Sequence, residues 1–166
     1  ACLEVASETK QVVLMAKKYL ITSPISLNTD GLNLIINDIV YNGTESAIKI
    51  NSSKNMIKIH SIVSSGKGIS IEGNAVEKSV VYNNIDVNTI NAASHGITFV
   101  CDPISIWQNT VRFNLIRAGG VGCYGIAYLN DRQNGKFITE NNFYGGHISN
   151  CEWAVYGAAG NSKYYG

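Results

Sequence analysis

The chain has 166 residues, a formal net charge of +1 and 15% charged residues, which leaves no electrostatic case for nucleic acid or an acidic membrane surface. No apolar run is long enough for a membrane-spanning helix, and no secretory signal peptide opens the chain. Asn, Ser, Thr, Gly and Tyr carry the polarity that charge usually supplies, in a length that fits one domain with a real core.

Residues 1–20 differ from the rest. The run LEVASETKQVVLMAKK has helix formers and no Gly or Pro. It predicts a short helix over 2–9 and a strand over 11–15, together capping the open end of a repeat array that fills 21–166. The first residue is Ala rather than Met, which reads as a trimmed fragment.

From there one short phrase recurs: PISLN at 24–28, AIKIN at 47–51, GISIE at 68–72, GITFV at 96–100, GIAYL at 125–129 and AVYGA at 154–158. Its second positions are Ile25, Ile48, Ile69, Ile97, Ile126 and Val155. A short strand returning every roughly 20–30 residues is the sign of a solenoid. Two further apolar runs fall in the intervals, as in LNLII at 32–36 and Ile39–Tyr41, MIKI at 56–59 and IV at 62–63, and VVY at 80–82 and IDV at 85–87. ISIW at 104–107 with VRF at 111–113, and FIT at 137–139 with FYG at 143–145, continue the series. The predicted architecture is therefore all-β, a parallel β-helix of about five to six turns with three short strands each. The Lys-bearing segment 54–58, broken by Met56 and Ile57, reads as a surface strand.

The expected core is Ile48, Ile69, Ile97, Ile126 and Val155, followed by Ile50, Ile71, Phe99 and Tyr128. The residue before each first-column position is small (Ala47, Gly68, Gly96, Gly125, Ala154), which permits close approach of backbone. One column of corners is expected at Asn37-Asp38, His60-Ser61, Asn83-Asn84, Asn109-Thr110 and Asn141-Asn142, since Asn and Asp tolerate sharp turns and bond the backbone locally. Cys2, Cys101, Cys123 and Cys151 have no zinc-site spacing and read as small apolar fillers. A Cys123–Cys151 disulfide between neighbouring copies stays open.

The segment QVVLMAKKYLITSPISLN at 11–28 resembles the opening of pectate-lyase-like right-handed β-helix domains, with Val13, Tyr19, Ile21, Ile25 and Leu27 on its apolar positions. Ala16-Lys17-Lys18 stands where many members carry Pro-x-Gly. The resemblance implies a right-handed parallel β-helix. It also implies kinship with bacteriophage tailspikes and tail appendages, which bind or cut surface polysaccharides. A homotrimer on a virion tail, or an extracellular protein, facing a bacterial surface polysaccharide is the corresponding expectation. Neither nucleic acid nor membrane insertion enters it. A shared fold does not fix the activity.

The calcium-binding Asp cluster and Arg or Lys base of lyases in this superfamily find no counterpart, so no metal or cofactor is expected. Five residues past the inward Ile lie Asp102 and Asp131, candidate catalytic carboxylates about 4.8 Å apart along the axis if the copies are in register. Two turn aspartates are the plainer reading of the same pair. Glu140 and Glu152 are looser candidates. The candidate sugar contacts are His95, Tyr124 and Trp153, two residues before the inward position in three consecutive copies, with Trp107, Tyr144 and Arg112 nearby in the pattern. Tyr and Trp can cover sugar faces while keeping a polar edge. Structural stacking of the same rings is the alternative, and Tyr164 and Tyr165 are expected to cover the C-terminal end. Three functions compete: a polysaccharide-binding segment, a polysaccharide-cleaving enzyme and a structural spacer.

Overall fold

The computed structural model describes residues 10–72, 78–101, 104–129, 136–157 and 160–166, and these are all-β without a helix. The helix expected over 2–9 lies outside the described residues. The strand expected at 11–15 is longer. It is β1 (Gln11–Ile21), which joins the main sheet beside β3. The strands continue as β2 (Ile25–Leu27), β3 (Asn33–Tyr41), β4 (Ser46–Ile50), β5 (Met56–Ser64), β6 (Lys67–Glu72), β7 (Val80–Val81), β8 (Asn84–Ala92), β9 (Ile97–Val100), β10 (Ile106–Trp107), β11 (Thr110–Leu129), β12 (Ile138–Thr139), β13 (Asn142–Tyr156) and β14 (Lys163–Tyr165).

Every pairing between these strands is parallel. The main sheet follows the order β1-β3-β5-β8-β11-β9-β6-β4-β2, with β13 beside β11 and β14 beside β13. β7, β10 and β12 form a second, small sheet. The connectivity requires the main sheet to curl. Its path puts β1 and β2 eight strand spacings apart, about 38 Å if flat. Yet only residues 22–24 join Ile21 to Ile25, a reach of about 15 Å. The fold-over runs through β11, whose first half pairs with β8 and whose last residues pair with β9.

The recurring phrase is in register. Ile25, Ile48, Ile69, Ile97, Ile126 and Val155 are successive Cα partners. Ile48, Ile50, Ile69, Ile71, Ile97, Phe99, Ile126 and Tyr128 are all buried in one apolar cluster. Val155 departs from the expectation, because among the described residues no strand beyond β13 pairs with it, and it is 36% exposed. The small residues ahead of this column make room for the turn next to them. A Cβ on Gly68 would stand 2.5 Å from the Gly96 carbonyl oxygen, and one on Gly96 2.6 Å from that of Gly125.

The corners resolve into two columns where the sequence suggests one. Asn55, Asn83, Asn109 and Asn141 form a buried ladder, in which each side-chain Nδ2 donates to the next Oδ1 at 2.8, 2.9 and 3.0 Å. Each Oδ1 also accepts the backbone N–H of the preceding Asn. Leu32 N–H starts the ladder on Asn55 Oδ1, and Ser162 Oγ ends it by accepting Asn141 N–H. The residue before each rung (Gly31, Lys54, Tyr82, Gln108, Glu140 and Asn161) has φ between +53° and +77°. Asn37-Asp38 and His60-Ser61 belong to the opposite corner, inside β3 and β5, where Asp38 pairs with Ser61 and Ser61 with Thr89. There the strands crease without ending. Ile36 and Ile39 are both buried, an odd spacing that shifts the alternation by one. Both corners use small polar residues, so composition does not separate them. Cys123 and Cys151 are half-buried free thiols, and Cys101 is a buried filler.

Two substitutions test this core. Ile97→Ala removes a fully buried side chain from a middle turn and should lower stability by about 2–5 kcal/mol in urea unfolding. Asn109→Ala strips the acceptor from Asn83 N–H and from one hydrogen of Asn83 Nδ2, each loss costing about 1–3 kcal/mol. Asn114→Ala, at the exposed corner, should stay within about 0.5 kcal/mol of wild type. Equal midpoints for Asn109→Ala and Asn114→Ala would show that the buried ladder carries no special weight.

Candidate functional site

The predicted aromatic stripe is distributed over three surfaces. On the outer face of β9, β11 and β13, the His95 ring stacks on Tyr124 with centroids 4.9 Å apart and planes 4° from parallel. Tyr124 stacks in turn on Tyr156 at 4.0 Å and 5°. Trp153 is the Cα partner of Tyr124, but its indole stands outside this ladder and is 57% exposed. On the small sheet, Trp107 meets Tyr82 at 6.0 Å with tilted planes. On the outer face of β8, β11, β13 and β14, Tyr144 stacks on Tyr165 at 4.8 Å, and the Arg112 guanidinium lies over Tyr144 at 5.2 Å. Asp102 and Asp131 lie outside the described residues.

The third surface is the most built. Strand alternation sends every second residue of β8 and β11 outward, so Asp86 and Asn88 stand beside Arg112 and Asn114. Asn84 Oδ1 accepts from Arg112 Nη1 at 2.6 Å, and Asn88 Oδ1 accepts from Asn114 Nδ2 at 2.7 Å. Asp86, Asn88, Arg112, Asn114 and Tyr144 line a groove of about 300 Å³, floored by Val87 and Phe113. The guanidinium is thus oriented by an amide and a ring, with no carboxylate within ion-pair distance among the described residues. Such a groove offers donors, acceptors and an aromatic edge in one line along the stack. Gln108, Glu140, Asn142, Asn161, Ser162 and Lys163 surround a separate polar hollow of about 500 Å³, in whose lining the candidate Glu140 is joined by a lysine. Among the described residues no three His, Cys, Asp or Glu side chains gather as a metal site would require.

Arg112 and Tyr144 come together as sequence candidates, while His95, Tyr124 and Trp153 share another face. Asp86, Asn88, Asn114 and Tyr165 were not singled out as groove residues from the sequence. Register would reveal them, since Asp86 is the Cα partner of Arg112 and Tyr165 that of Tyr144. Tyr164 does cover the interior, stacking on Phe143 at 5.0 Å, whereas Tyr165 points to the outer face. No protein-family model, no curated protein and no solved structure matches this chain.

Burial moves the titration of three groups, Tyr128, Tyr164 and His95. Burial, then the hydrogen bond with the Tyr164 hydroxyl, raises the Tyr128 phenol, and burial also raises Tyr164. Burial, then the charge of Lys67, lowers His95. For the tyrosines the sign is clear. Above the free-tyrosine value near 10, the unfolded chain has released protons that the folded chain still holds, so stability must fall as pH rises. Urea midpoints should be level from about pH 7.5 to about pH 9.5 and drop beyond it. The drop should be shallower in Tyr128→Phe, and an identical slope in the variant would place the alkaline loss elsewhere.

Proposed function

We propose that the chain is a segment of a right-handed parallel β-helix, similar to the pectate-lyase-like domains, whose outer face binds a polysaccharide. The right-handed β-helix is supported by all-parallel pairing, by three ladders that recur in fixed order, and by the strong preference of parallel crossovers for one hand. The observation that carries the binding reading is the groove in which Arg112 rests on Tyr144 beside Asp86, Asn88 and Asn114. Sugar hydroxyls are both donors and acceptors, and this groove supplies each kind on neighbouring strands at about 4.8 Å spacing. Its course across β8, β11 and β13, open along the axis, suits an extended polymer better than a compact ligand. A bacterial surface polysaccharide, met by a trimeric appendage on a virion tail or in the extracellular space, is the partner the resemblance brings to this reading. Trp153 offers a second, free aromatic platform on the adjacent face.

A glycan array probed with the 166-residue chain selects the polymer, and calorimetry on wild type and variants locates it. Arg112→Ala and Tyr144→Ala should each weaken binding at least tenfold, about 1.4 kcal/mol. Trp153→Ala should weaken it only if the polymer also crosses the neighbouring face. Unchanged affinity in both Arg112→Ala and Tyr144→Ala would remove the groove from the site. Release of new reducing ends over time would identify a cleaving enzyme in place of a binder.

A further inference from the structure

We propose that residues 119–123 form a flap that mild acid releases, held at neutral pH by His95 and Glu152. The flap is a bulge in β11. Gly120 pairs with Cys151 and Tyr124 with Trp153, so Val121, Gly122 and Cys123 together oppose Glu152 alone. Gly120 and Gly122 have φ of +96° and +75°, the left-handed region that lets the chain leave the strand and return. Val121 at the tip is 94% exposed.

Two side-chain acceptors tie this loop down. The Glu152 carboxylate accepts Gly122 N–H at 2.8 Å, and His95 Nδ1 accepts Tyr124 N–H at 3.1 Å. At the near root, Gly119 N–H donates to Ser94 O at 2.9 Å. A His Nδ1 that accepts must carry its proton on Nε2, so the closed flap requires the neutral imidazole. A proton added at Nδ1 takes the lone pair and turns one N–H toward another, and that tie is lost. Lys67 of β6 acts on the His95 ring by its charge, and Tyr124 of β11 packs on its face. Cys123, Glu152 and Tyr156 lie about the Tyr124 ring in turn. Of these, Lys67 opposes the imidazolium, in the same direction as burial. In the open form Nδ1 no longer has to accept Tyr124 N–H, so the open form binds the proton more readily. Below the ordinary histidine value near 6.5 the open form therefore gains population as pH falls.

Amide hydrogen exchange on the intact chain at pH 7.5 and pH 5.0, corrected for intrinsic rates, reads this directly. Protection of the Gly122 and Tyr124 amides should fall with acid, by up to about tenfold per pH unit for one linked proton, while the β8 amides hold. His95→Gln keeps an acceptor that does not titrate, so it should retain the neutral-pH protection and lose the acid response. Nitrogen shifts of His95 should report the Nε2–H tautomer at pH 7.5. A Tyr124 amide equally protected at both pH values, an Nδ1–H tautomer, or an acid response that survives in His95→Gln would each overturn the proposal. If His95→Gln does not fold, the wild-type exchange profile and tautomer decide it alone.

Discussion

The buried amide ladder sets the geometry on which the other ladders depend. A primary amide has one acceptor oxygen and two donor hydrogens. At Asn83, Asn109 and Asn141 the Oδ1 takes both the side-chain and the main-chain N–H of the Asn before it, while Asn83 and Asn109 also send Nδ2 to main-chain oxygens. Most of those main-chain groups lie at the bend itself, and a buried polar group left bare is costly. Aspartate would replace the donor by a charge, and leucine would leave the bend unpaired. The ladder in turn demands a left-handed residue just before each rung. That is why Lys54, Tyr82, Gln108 and Glu140, none of them glycine, accept positive φ.

With one corner fixed, the strands on either side have no freedom of register, and the outer faces become ordered columns. Ile35, Lys58, Asp86, Arg112, Tyr144 and Tyr165 follow one another as Cα partners along the axis. The column passes from apolar through charged to aromatic, so the groove beside Arg112 lies where charge and ring adjoin. No single strand encodes that groove. It exists because side chains a full turn of the chain apart are brought side by side by the core beneath them.

This explains what could be read from the sequence. The phrase built on Ile48, Ile69, Ile97 and Ile126 has its small residue and its alternation within one short strand, so the eye finds it without knowing the turn length. Its Cα partners in the structure are the residues so aligned. The asparagine corners failed partly because both bends select the same residue type. Asn37 sits in an exposed crease and Asn55 in the buried ladder, and only burial tells them apart. The outer groove was half legible. Arg112 and Tyr144 stood out by chemistry, whereas Asp86 and Asn88 acquire meaning only through a register offset that changes from one turn to the next.

The ring ladders also change how a sugar could be held. Aromatic recognition of a pyranose uses the ring face, but both faces of Tyr124 and one each of His95 and Tyr156 are already occupied within the ladder, at 4.0–4.9 Å. The same holds for Tyr144, which has Tyr165 on one side and Arg112 as a further cover. What these ladders present outward is their edge, with the phenol hydroxyls and the edge of the guanidinium. An edge binds through hydrogen bonds to hydroxyl groups, so its selectivity follows the sugar's stereochemistry more than its apolar area. Trp153 differs, since among the described residues no ring packs on its indole. The two faces therefore favour different contacts: directional hydrogen bonds beside Arg112, and stacking at Trp153. A polymer that used both would have to cross the bulge at 119–123, which separates the half of β11 that pairs with β8 from the half that pairs with β9.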